Sequence, residues 1–269
     1  MSAPLPGPAL LFCPADRPER FAKAAAAADG VILDLEDGVA AEDRERARQA
    51  LRDTPLDPDR TLVRLNPVGT EDHERDLAAL AETPYHTVML AKTEAASQVA
   101  GLAPLRVLAL CETPAGVLAA PALAAQPNAI GLMWGAEDLV AALGGRSSRD
   151  ETGHYRPVAV HTGAAVLLAA GAYQRVAVDA VYLDIADLDG LAQEARDSAA
   201  SGFTVKACIH PKQVAVVRAA FAPTEEEVDW ARRVLAAAAD APGVFSFEGR
   251  MVDAPVLRHA EHVLAAAGA

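Results

Sequence analysis

Charged and polar side chains recur at the ends of short apolar runs of this chain. The stretch GVILDLEDGV, residues 30–39, sets Asp34, Glu36 and Asp37 directly against large aliphatic residues. Carboxylates in such a position are costly unless something pairs with them. Other runs end in the same way, at Arg64 and Asn66, Lys92, Glu112, Glu137 and Asp138, Asp184, and His210.

Carboxylates that gather at one place without compensating bases suit a hard divalent cation. Mg2+ in particular keeps several water ligands and uses only one or two protein carboxylates. The sequence contains no grouping of histidines and cysteines that would favour zinc. If the ends of the runs meet in space, they therefore predict a magnesium site.

Lys92 raises an alternative chemistry. A lysine at the end of a barrel strand can form a Schiff base with a carbonyl substrate, as metal-independent aldolases do. The acidic residues elsewhere among the run ends favour the metal route. Sensitivity to a chelator would support the metal, whereas borohydride trapping of substrate on Lys92 would support the imine.

Eight apolar runs of strand length position these side chains, and helical stretches separate the runs. The runs are 9–14, 30–37, 61–66, 87–92, 106–113, 129–138, 178–184 and 204–211. Eight buried strands that alternate with helices in 269 residues predict an α/β fold, a (β/α)8 TIM barrel with a C-terminal helical extension. A doubly wound open sheet is the main alternative. In a barrel, the polar run ends converge around one mouth.

Helix-start signals mark the segments between the runs. Asp16 followed by Glu19 predicts an N-cap with a capping box. Thr113 before Pro114 predicts another helix start. Thr224 precedes the acidic run 225–227, which favours the positive end of a helix dipole.

Two further segments define the predicted organisation. The polar, glycine-containing stretch 144–157, within the 139–157 region between strands six and seven, predicts an exposed loop that covers the site. Residues 1–222 are expected to form the barrel. Residues 223–269 are expected to hold the last barrel helix, an extended segment and a final helix from about 254, in the same domain or packed on a neighbouring subunit.

Composition limits the function classes. The formal net charge of −13 argues against nucleic-acid and anionic-membrane partners, and an anionic ligand must be attracted by local cations or a metal. No apolar stretch reaches the length of a membrane span, and the N-terminal residues lack the features of a secretory signal. Cys13, Cys111 and Cys208 each lie in an apolar run, which predicts buried, reduced thiols in a cytoplasmic protein.

A set of stretches along nearly the whole chain, in order, resembles the citrate lyase β-subunit family. That family includes malyl-CoA and citramalyl-CoA lyases and short stand-alone citrate-lyase-β-like proteins, which look closest. The stretches are LFCPADRPERFAKA, VILDLEDGV, VRLN, LAKTE, LCETPAGV, GLMWGAEDL, CIHPKQV and GRMVDAPVL. The resemblance implies a barrel that binds Mg2+, with Mn2+ as a substitute, and an acyl thioester of coenzyme A. It implies chemistry at the bond between the α and β carbons of a β-hydroxyacyl thioester, commonly in trimers or dimers of trimers.

The same resemblance implies roles for individual residues. Glu112 and Asp138 match the magnesium-ligand positions, and Arg64 matches the arginine that stabilises the thioester enolate. Asp253 matches a carboxylate that moves protons in the site of a neighbouring subunit. The substrate and coenzyme A positions are matched by Phe12, Arg17, Lys23, Arg64, Gly135, Ala136 and Glu137.

Glu36 and Asp37 have two interpretations. They act in catalysis, with Glu36 the second candidate for proton transfer after Asp253, or they orient metal-bound water. Arg64 could also be a structural ion-pair partner of Glu36. We further expect His210 to form a hydrogen bond at the barrel rim.

Helix ends give structural alternatives for the remaining candidates. Glu112 could stabilise the helix start at Thr113, Asp138 could N-cap LVAALGG, and Asp253 could cap the final helix. We expect Glu137 to support the loop around Asp138.

These observations lead to a Mg2+-dependent carbon–carbon lyase that acts on a β-hydroxyacyl-CoA and handles a small oxo acid. Four alternatives stay open: a citrate lyase subunit that acts on a carrier-protein thioester, hydrolysis of the thioester, a Schiff-base aldolase through Lys92, and a non-catalytic scaffold.

Overall fold

The structure is a computed structural model, and it describes residues 5–240 and 243–268. Eight parallel strands close into a barrel in chain order, and the eighth strand pairs with the first. They are β1 (Ala9–Pro14), β2 (Gly30–Asp34), β3 (Thr61–Leu65), β4 (Thr87–Leu90), β5 (Arg106–Cys111), β6 (Ala129–Trp134), β7 (Val176–Asp179) and β8 (Val205–Cys208). The predicted (β/α)8 barrel is confirmed, and the open doubly wound sheet is excluded.

Helices follow the strands around the outside of the barrel. They are α1 (Phe21–Ala27), α2 (Arg44–Asp53), α3 (Glu71–Leu80), α4 (Ala96–Ala100), α5 (Pro114–Ala124), α6 (Ala136–Ala142), α7 (Pro157–Ala172), α8 (Leu188–Ser201) and α9 (Pro211–Phe221). The helix start predicted at Thr113 is confirmed, because the Thr113 hydroxyl accepts the Gly116 N–H at 3.1 Å. Among the described residues, no helix combines the length and apolar character needed to cross a membrane.

Apolar side chains from all eight strands fill the barrel interior. One buried cluster contains Leu10, Ile32, Leu62, Met89, Leu108, Leu110, Met133, Val178, Val205 and Ala207. Side chains alternate between the two faces of a strand, so Arg64 continues the inward row that Leu62 begins, and Glu112 continues the row of Leu110. The apolar interior therefore ends in charged residues at the C-terminal rim.

A second compact unit begins at Arg218, within α9. It contains α10 (Glu225–Asp240), β9 (Phe245–Phe247), β10 (Arg250–Val252) and α11 (Ala254–Ala266). The two strands form an antiparallel hairpin. Ala231, Val234, Val252, Ala260 and Val263 form the unit's own apolar core. The helix start predicted after Thr224 is confirmed, and a capping interaction accompanies it: Thr224 Oγ1 accepts the Glu227 N–H and Glu227 Oε2 accepts the Thr224 N–H.

Two local predictions are wrong. Asp16 and Glu19 do not form a capping box, because α1 begins at Phe21 without a side-chain cap. Asp16 is instead buried and lies 3.0 Å from the guanidinium of Arg46. The seventh strand is Val176–Asp179, so it begins before the predicted 178–184 run and ends well before Asp184, which is not a strand end. Asp184 is exposed, and its carboxylate accepts backbone N–H groups of the following turn.

The three cysteines are buried, as predicted, and none of them forms a disulfide. Burial raises the pKa of Cys13 to about 11 and that of Cys111 to about 12. Both thiols are therefore protonated near neutral pH, and they lack the thiolate character that a nucleophile or metal ligand needs.

Candidate active site

An ion-pair network joins the ends of β2 and β3. Asp34 and Arg64 are register partners on the two strands. Arg64 donates from Nε and Nη2 to the two Asp34 oxygens at 2.7 and 2.6 Å, and its Nη1 lies 2.8 Å from Glu36 Oε2. Burial opposes the charge of Arg64, but the Asp34 carboxylate holds the Arg64 pKa above its ordinary value. The structural Arg64–Glu36 pair is thus present, and Asp34 is a second partner that the sequence did not reveal.

Lys92 lies just after β4 and contacts four carboxylates. Its backbone N–H donates to Glu112 Oε1 at 3.0 Å. Its ammonium forms an ion pair with Glu36 and lies 3.3 Å from both Asp37 Oδ2 and Asp138 Oδ1. Burial lowers the Lys92 pKa, but the hydrogen bond and charge of Glu36 raise it above the ordinary lysine value overall. Lys92 is therefore a permanent cation in this array.

Glu112 follows β5 and is buried against the start of α6. A Cβ placed on Gly135 would lie 2.9 Å from the Glu112 Cβ, so the absence of a side chain at position 135 makes room for this carboxyl group. Burial, reinforced by the charge of Asp138, raises the Glu112 pKa to about 8. A bound cation would relieve this unfavourable charge.

Asp138 is half-exposed in the first turn of α6. The interpretation of Asp138 as an N-cap is wrong, because Gly135 holds that position and its backbone is extended. Because the Asp138 carboxylate does not cap α6, it is available at the rim beside the Lys92 ammonium. Glu137 instead accepts a hydrogen bond from Ser148 Oγ at 2.5 Å, as expected for a residue that supports the loop.

The donor set fits a hard cation that takes few protein ligands. Within residues 5–240 and 243–268, no three histidine, cysteine or acidic side chains converge as a ready-made metal cage. Glu112 and Asp138 supply carboxylate oxygens, and Glu112 is buried at a cost that a cation would offset. Mg2+ matches this arrangement because it retains water and binds through one or two carboxylates.

The segment after α6 forms a small hairpin-like loop at the C-terminal side of the barrel. An antiparallel bridge joins Arg149 to Tyr155. The Arg149 guanidinium lies 3.6 Å from the Tyr155 ring centroid and donates to Glu194 of α8 at 2.7 Å. The Tyr155 ring in turn packs edge-on against Trp134 at 5.1 Å. Most of the loop is exposed, as predicted, and these contacts fasten its inner side.

A buried lysine, which was not predicted from the sequence, completes the set of contacts that holds this loop. Lys206 of β8 is fully buried, and its ammonium donates to Asp179 at 2.6 Å and to Glu194 at 3.0 Å. Asp179 also accepts the Trp134 indole N–H at 2.8 Å. The only sequence signal was a lysine inside an apolar run, TVKACIHP, where a charge requires a partner.

Other predicted candidates differ in their contact with this array. Arg17 and Lys23 are exposed on the segment after β1, while Phe12 faces Arg64, with its ring centroid 4.9 Å from the guanidinium carbon. Asn66 is not available at the rim, because its side-chain amide donates to Leu35 O and Asp76.

Two candidates occupy helix starts. Asp253 belongs to the second unit and caps α11, where its Oδ1 accepts the Val256 N–H at 3.3 Å. The His210 ring accepts the Lys212 N–H at 3.1 Å, which confirms a hydrogen-bonding role after β8.

The C-terminal rim of this (β/α)8 barrel carries acidic residues, an arginine and a lysine. Together they define a barrel enzyme site suited to a divalent cation and an anionic ligand. The chain belongs to the HpcH/HpaI aldolase/citrate lyase family, whose pattern matches residues 9–211.

Three similar proteins have names that refer to citrate lyase or to enzymes of CoA thioesters. A citrate lyase subunit beta-like protein of Mycobacterium tuberculosis is 62% identical over 97% of this chain and 96% of its own. The mitochondrial citramalyl-CoA lyase of Homo sapiens is 30% identical over 97% of this chain and 85% of its own. A (3S)-malyl-CoA thioesterase of Cereibacter sphaeroides is 35% identical over 91% of this chain and 88% of its own.

Solved structures of similar proteins contain ligands. The CitE protein of M. tuberculosis in complex with magnesium, acetoacetate and coenzyme A has a TM-score of 0.96 and 61% identity, and the match covers 98% of this chain and 99% of that one. A citrate lyase beta subunit from the same organism, complexed with oxaloacetate and magnesium, has a TM-score of 0.81 and 61% identity over 83% of this chain and all of that one (100%).

Proposed function

We propose that this protein is a Mg2+-dependent carbon–carbon lyase that cleaves or forms a β-hydroxyacyl-CoA thioester, such as malyl-, citramalyl-, citryl- or 3-hydroxy-3-methylglutaryl-CoA. The observation that carries the proposal is the array of Glu112, Asp138, Lys92 and Arg64 at the barrel rim. A relative with nearly the same fold is solved with magnesium, acetoacetate and coenzyme A, which supports this choice of ligands.

Glu112 and Asp138 would hold the metal. Bound there, Mg2+ supplies a Lewis acid that lowers the pKa of a β-hydroxyl group and polarises the carbonyl group that forms from it. Arg64 supplies fixed positive charge where the enolate oxygen of the thioester develops. Because Asp34 and Glu36 hold the guanidinium in place, little reorganisation is needed during the reaction.

The reaction balances with one proton transfer at each end. A carboxylate removes the proton of the β-hydroxyl group, the Cα–Cβ bond breaks, and its electron pair passes to the thioester enolate. A proton then returns to Cα, which gives a short-chain acyl-CoA and an oxo acid. Asp253 of a neighbouring copy is our first candidate for this carboxylate, followed by Glu36, with Asp37 orienting water.

Positive side chains on the segment after β1 would hold coenzyme A. Arg17 and Lys23 are exposed there and can meet its phosphates, while Phe12 lies inward beside Arg64. The start of α6, Gly135 to Glu137, would contact the acyl part. These local cations offset the repulsion that the net charge of −13 imposes on an anionic substrate.

The test is incubation of the purified protein with the four thioesters, with and without EDTA, followed by chromatography of CoA species and assay of the oxo acid. We expect Mg2+-dependent formation of a short-chain acyl-CoA and an equal amount of oxo acid from one of them. Glu112→Gln, which keeps the shape of the side chain, should lose this activity. Cleavage that persists fully in EDTA would contradict the proposal.

Thioester hydrolysis is a second candidate, favoured by the 35% identity with a (3S)-malyl-CoA thioesterase. In the same incubations it would release free CoA and the intact hydroxy acid, without oxo acid. Action on a carrier-protein thioester, as one subunit of a citrate lyase complex, would leave all four CoA esters uncut and require the acylated carrier. Binding of the CoA esters without turnover of any of these substrates would indicate a scaffold.

The Schiff-base route through Lys92 is disfavoured. Imine formation requires a neutral amine, but the Lys92 ammonium is paired with Glu36 and its pKa lies above the ordinary lysine value. Borohydride treatment in the presence of substrate should therefore leave Lys92 unmodified.

The proposed setting is a homotrimer or dimer of trimers in the cytoplasm. Three cysteines that form no disulfide are consistent with a reducing compartment. The adjacent helices α5 and α7 contain no charged aspartate, glutamate, lysine or arginine, and they expose apolar residues that include Leu118 and Leu168. Such a face on a strongly acidic chain favours contact with a second copy.

A further inference from the structure

Both the backbone and the side chain of Lys92 are constrained at the barrel rim. Its φ of +48° lies in the left-handed region, which is unfavourable for a residue with a side chain. This backbone conformation goes with two separate contacts to the candidate metal ligands. The N–H reaches Glu112 at 3.0 Å, and the ammonium lies 3.3 Å from Asp138.

The two contacts have opposite consequences for a divalent cation. The backbone N–H orients Glu112 and would remain with almost any side chain at position 92. The ammonium, in contrast, holds a full positive charge against the carboxylate that would bind the metal. Two cations that share one carboxylate repel each other strongly, because the partly buried setting screens them less than bulk water does.

We propose that the Lys92 ammonium is an internal counter-cation of Asp138 that competes with Mg2+ and lowers the affinity of the free protein for the metal. The inference rests on the proposed function, because it assigns Asp138 to the metal. Lys92 is in this sense a positioning residue that neutralises the rim until the metal arrives. Its remaining partners, Glu36 and Asp37, keep the ammonium nearby when Asp138 is taken.

Calorimetric titration of the metal-free protein with MgCl2 tests the proposal without any turnover. Lys92→Gln removes the charge but keeps the backbone N–H and a donor for Glu36. We expect it to bind Mg2+ on the order of tenfold more tightly than the wild type. Lys92→Arg keeps the charge and is the matched control, with an affinity within about twofold of the wild type.

The outcomes separate the two hypotheses. Unchanged or weaker Mg2+ binding by Lys92→Gln overturns the counter-cation, while Mg2+ binding by the wild type still supports the metal site. Binding by Lys92→Gln but not by the wild type supports the counter-cation. If neither protein binds Mg2+, the metal-dependent function fails and the counter-cation fails with it.

A second measurement uses the wild-type protein and does not depend on how a variant folds. In protein labelled with 15N at lysine, the Lys92 ammonium can be followed by NMR. Saturating Mg2+ should break the contact between this ammonium and Asp138 and shift the Lys92 Nζ resonance. Exposed Lys212 is the internal control and should not change. An unchanged Lys92 resonance at saturating Mg2+ would contradict the proposal.

Discussion

At the scale of the residue, the rim of the barrel is an alternating array of charges. Asp34, Arg64, Glu36 and Lys92 follow one another as anion, cation, anion and cation. Each buried charge is stabilised by the next, so removal of one member leaves its neighbours uncompensated. This coupling gives individual substitutions large and testable effects.

Arg64→Gln should be strongly destabilising. It leaves the buried carboxylates of Asp34 and Glu36 without their guanidinium, which costs about 3–5 kcal/mol for a buried pair. Arg75→Gln is the control, because Arg75 forms an exposed pair with Glu71 that contributes at most about 0.5 kcal/mol. Urea denaturation of the two variants measures both values. Equal losses of stability would show that the Arg64 network is not a buried ion pair.

Glu112 should make the stability of the metal-free protein depend on pH. Its pKa is raised from 4.5 to about 8 in the folded state, so the folded protein holds a proton that the unfolded chain releases. The resulting stabilisation is fully present below about pH 4.5 and is lost as the pH rises through about 8.

Urea unfolding in EDTA at about pH 6 and about pH 9 measures this effect against Glu112→Gln, which mimics the protonated side chain. The wild type should lose more stability than the variant over this interval, by on the order of a few kcal/mol at most. The same loss in both proteins would mean that Glu112 does not titrate in this range.

The candidate residues at the rim were predictable because polar side chains at strand ends leave a plain signal in the sequence. Glu36, Asp37, Glu112 and Asp138 were found in this way. Arg64, Lys92 and the Arg64–Glu36 pair were anticipated too, but the pairing of Asp34 with Arg64 was not, since neighbouring strands must be aligned in register before these two residues can be matched. The roles of the candidate site residues, Asp253 included, stay predictions.

At the scale of the element, strand positions followed from apolar runs, but strand ends did not always do so. The seventh run contains apolar Val181 and Leu183 beyond the true end of β7, so hydrophobicity alone extended the predicted strand to Asp184. The capping box at Asp16 failed for a similar reason. A local motif cannot account for Arg46, which lies far along the chain and binds the Asp16 carboxylate.

The local stability of the loop after α6 should depend on the contacts of Arg149. Arg149→Met removes the ion pair with Glu194 and the guanidinium over the Tyr155 ring. We expect residues 143–156 to exchange backbone hydrogens about tenfold faster, which corresponds to about 1.4 kcal/mol of lost local stability. Hydrogen exchange with mass spectrometry measures the rate. Arg146→Met, at an exposed position on the same loop, should leave it unchanged.

At the scale of the whole molecule, the outer faces of α5 and α7 contrast with the acidic character of the chain. Leu118 is 85% exposed and Leu168 is 74% exposed, on helices that carry no aspartate, glutamate, lysine or arginine. Large exposed apolar side chains on a neutral face are typical of a protein interface.

Leu118→Glu combined with Leu168→Glu should therefore dissociate the proposed homo-oligomer. Two carboxylates in an apolar contact cost several kcal/mol of desolvation when the copies meet. Light scattering coupled to size-exclusion chromatography measures the mass. Leu183→Glu, at an exposed position outside both helices, is the control and should keep the native mass. An unchanged mass in the double variant would place the interface elsewhere.

The contact between Trp134 and Tyr155 gives the protein a built-in optical reporter. The chain has two tryptophans, Trp134 and Trp230, so Trp230→Phe isolates the emission of Trp134. Its indole is buried and donates to Asp179 while the Tyr155 ring packs against it. If the Tyr155 ring moves away, the Trp134 indole becomes exposed to solvent and its emission spectrum shifts to the red. Stopped-flow fluorescence can thus follow the segment in real time as ligands enter, without an added dye.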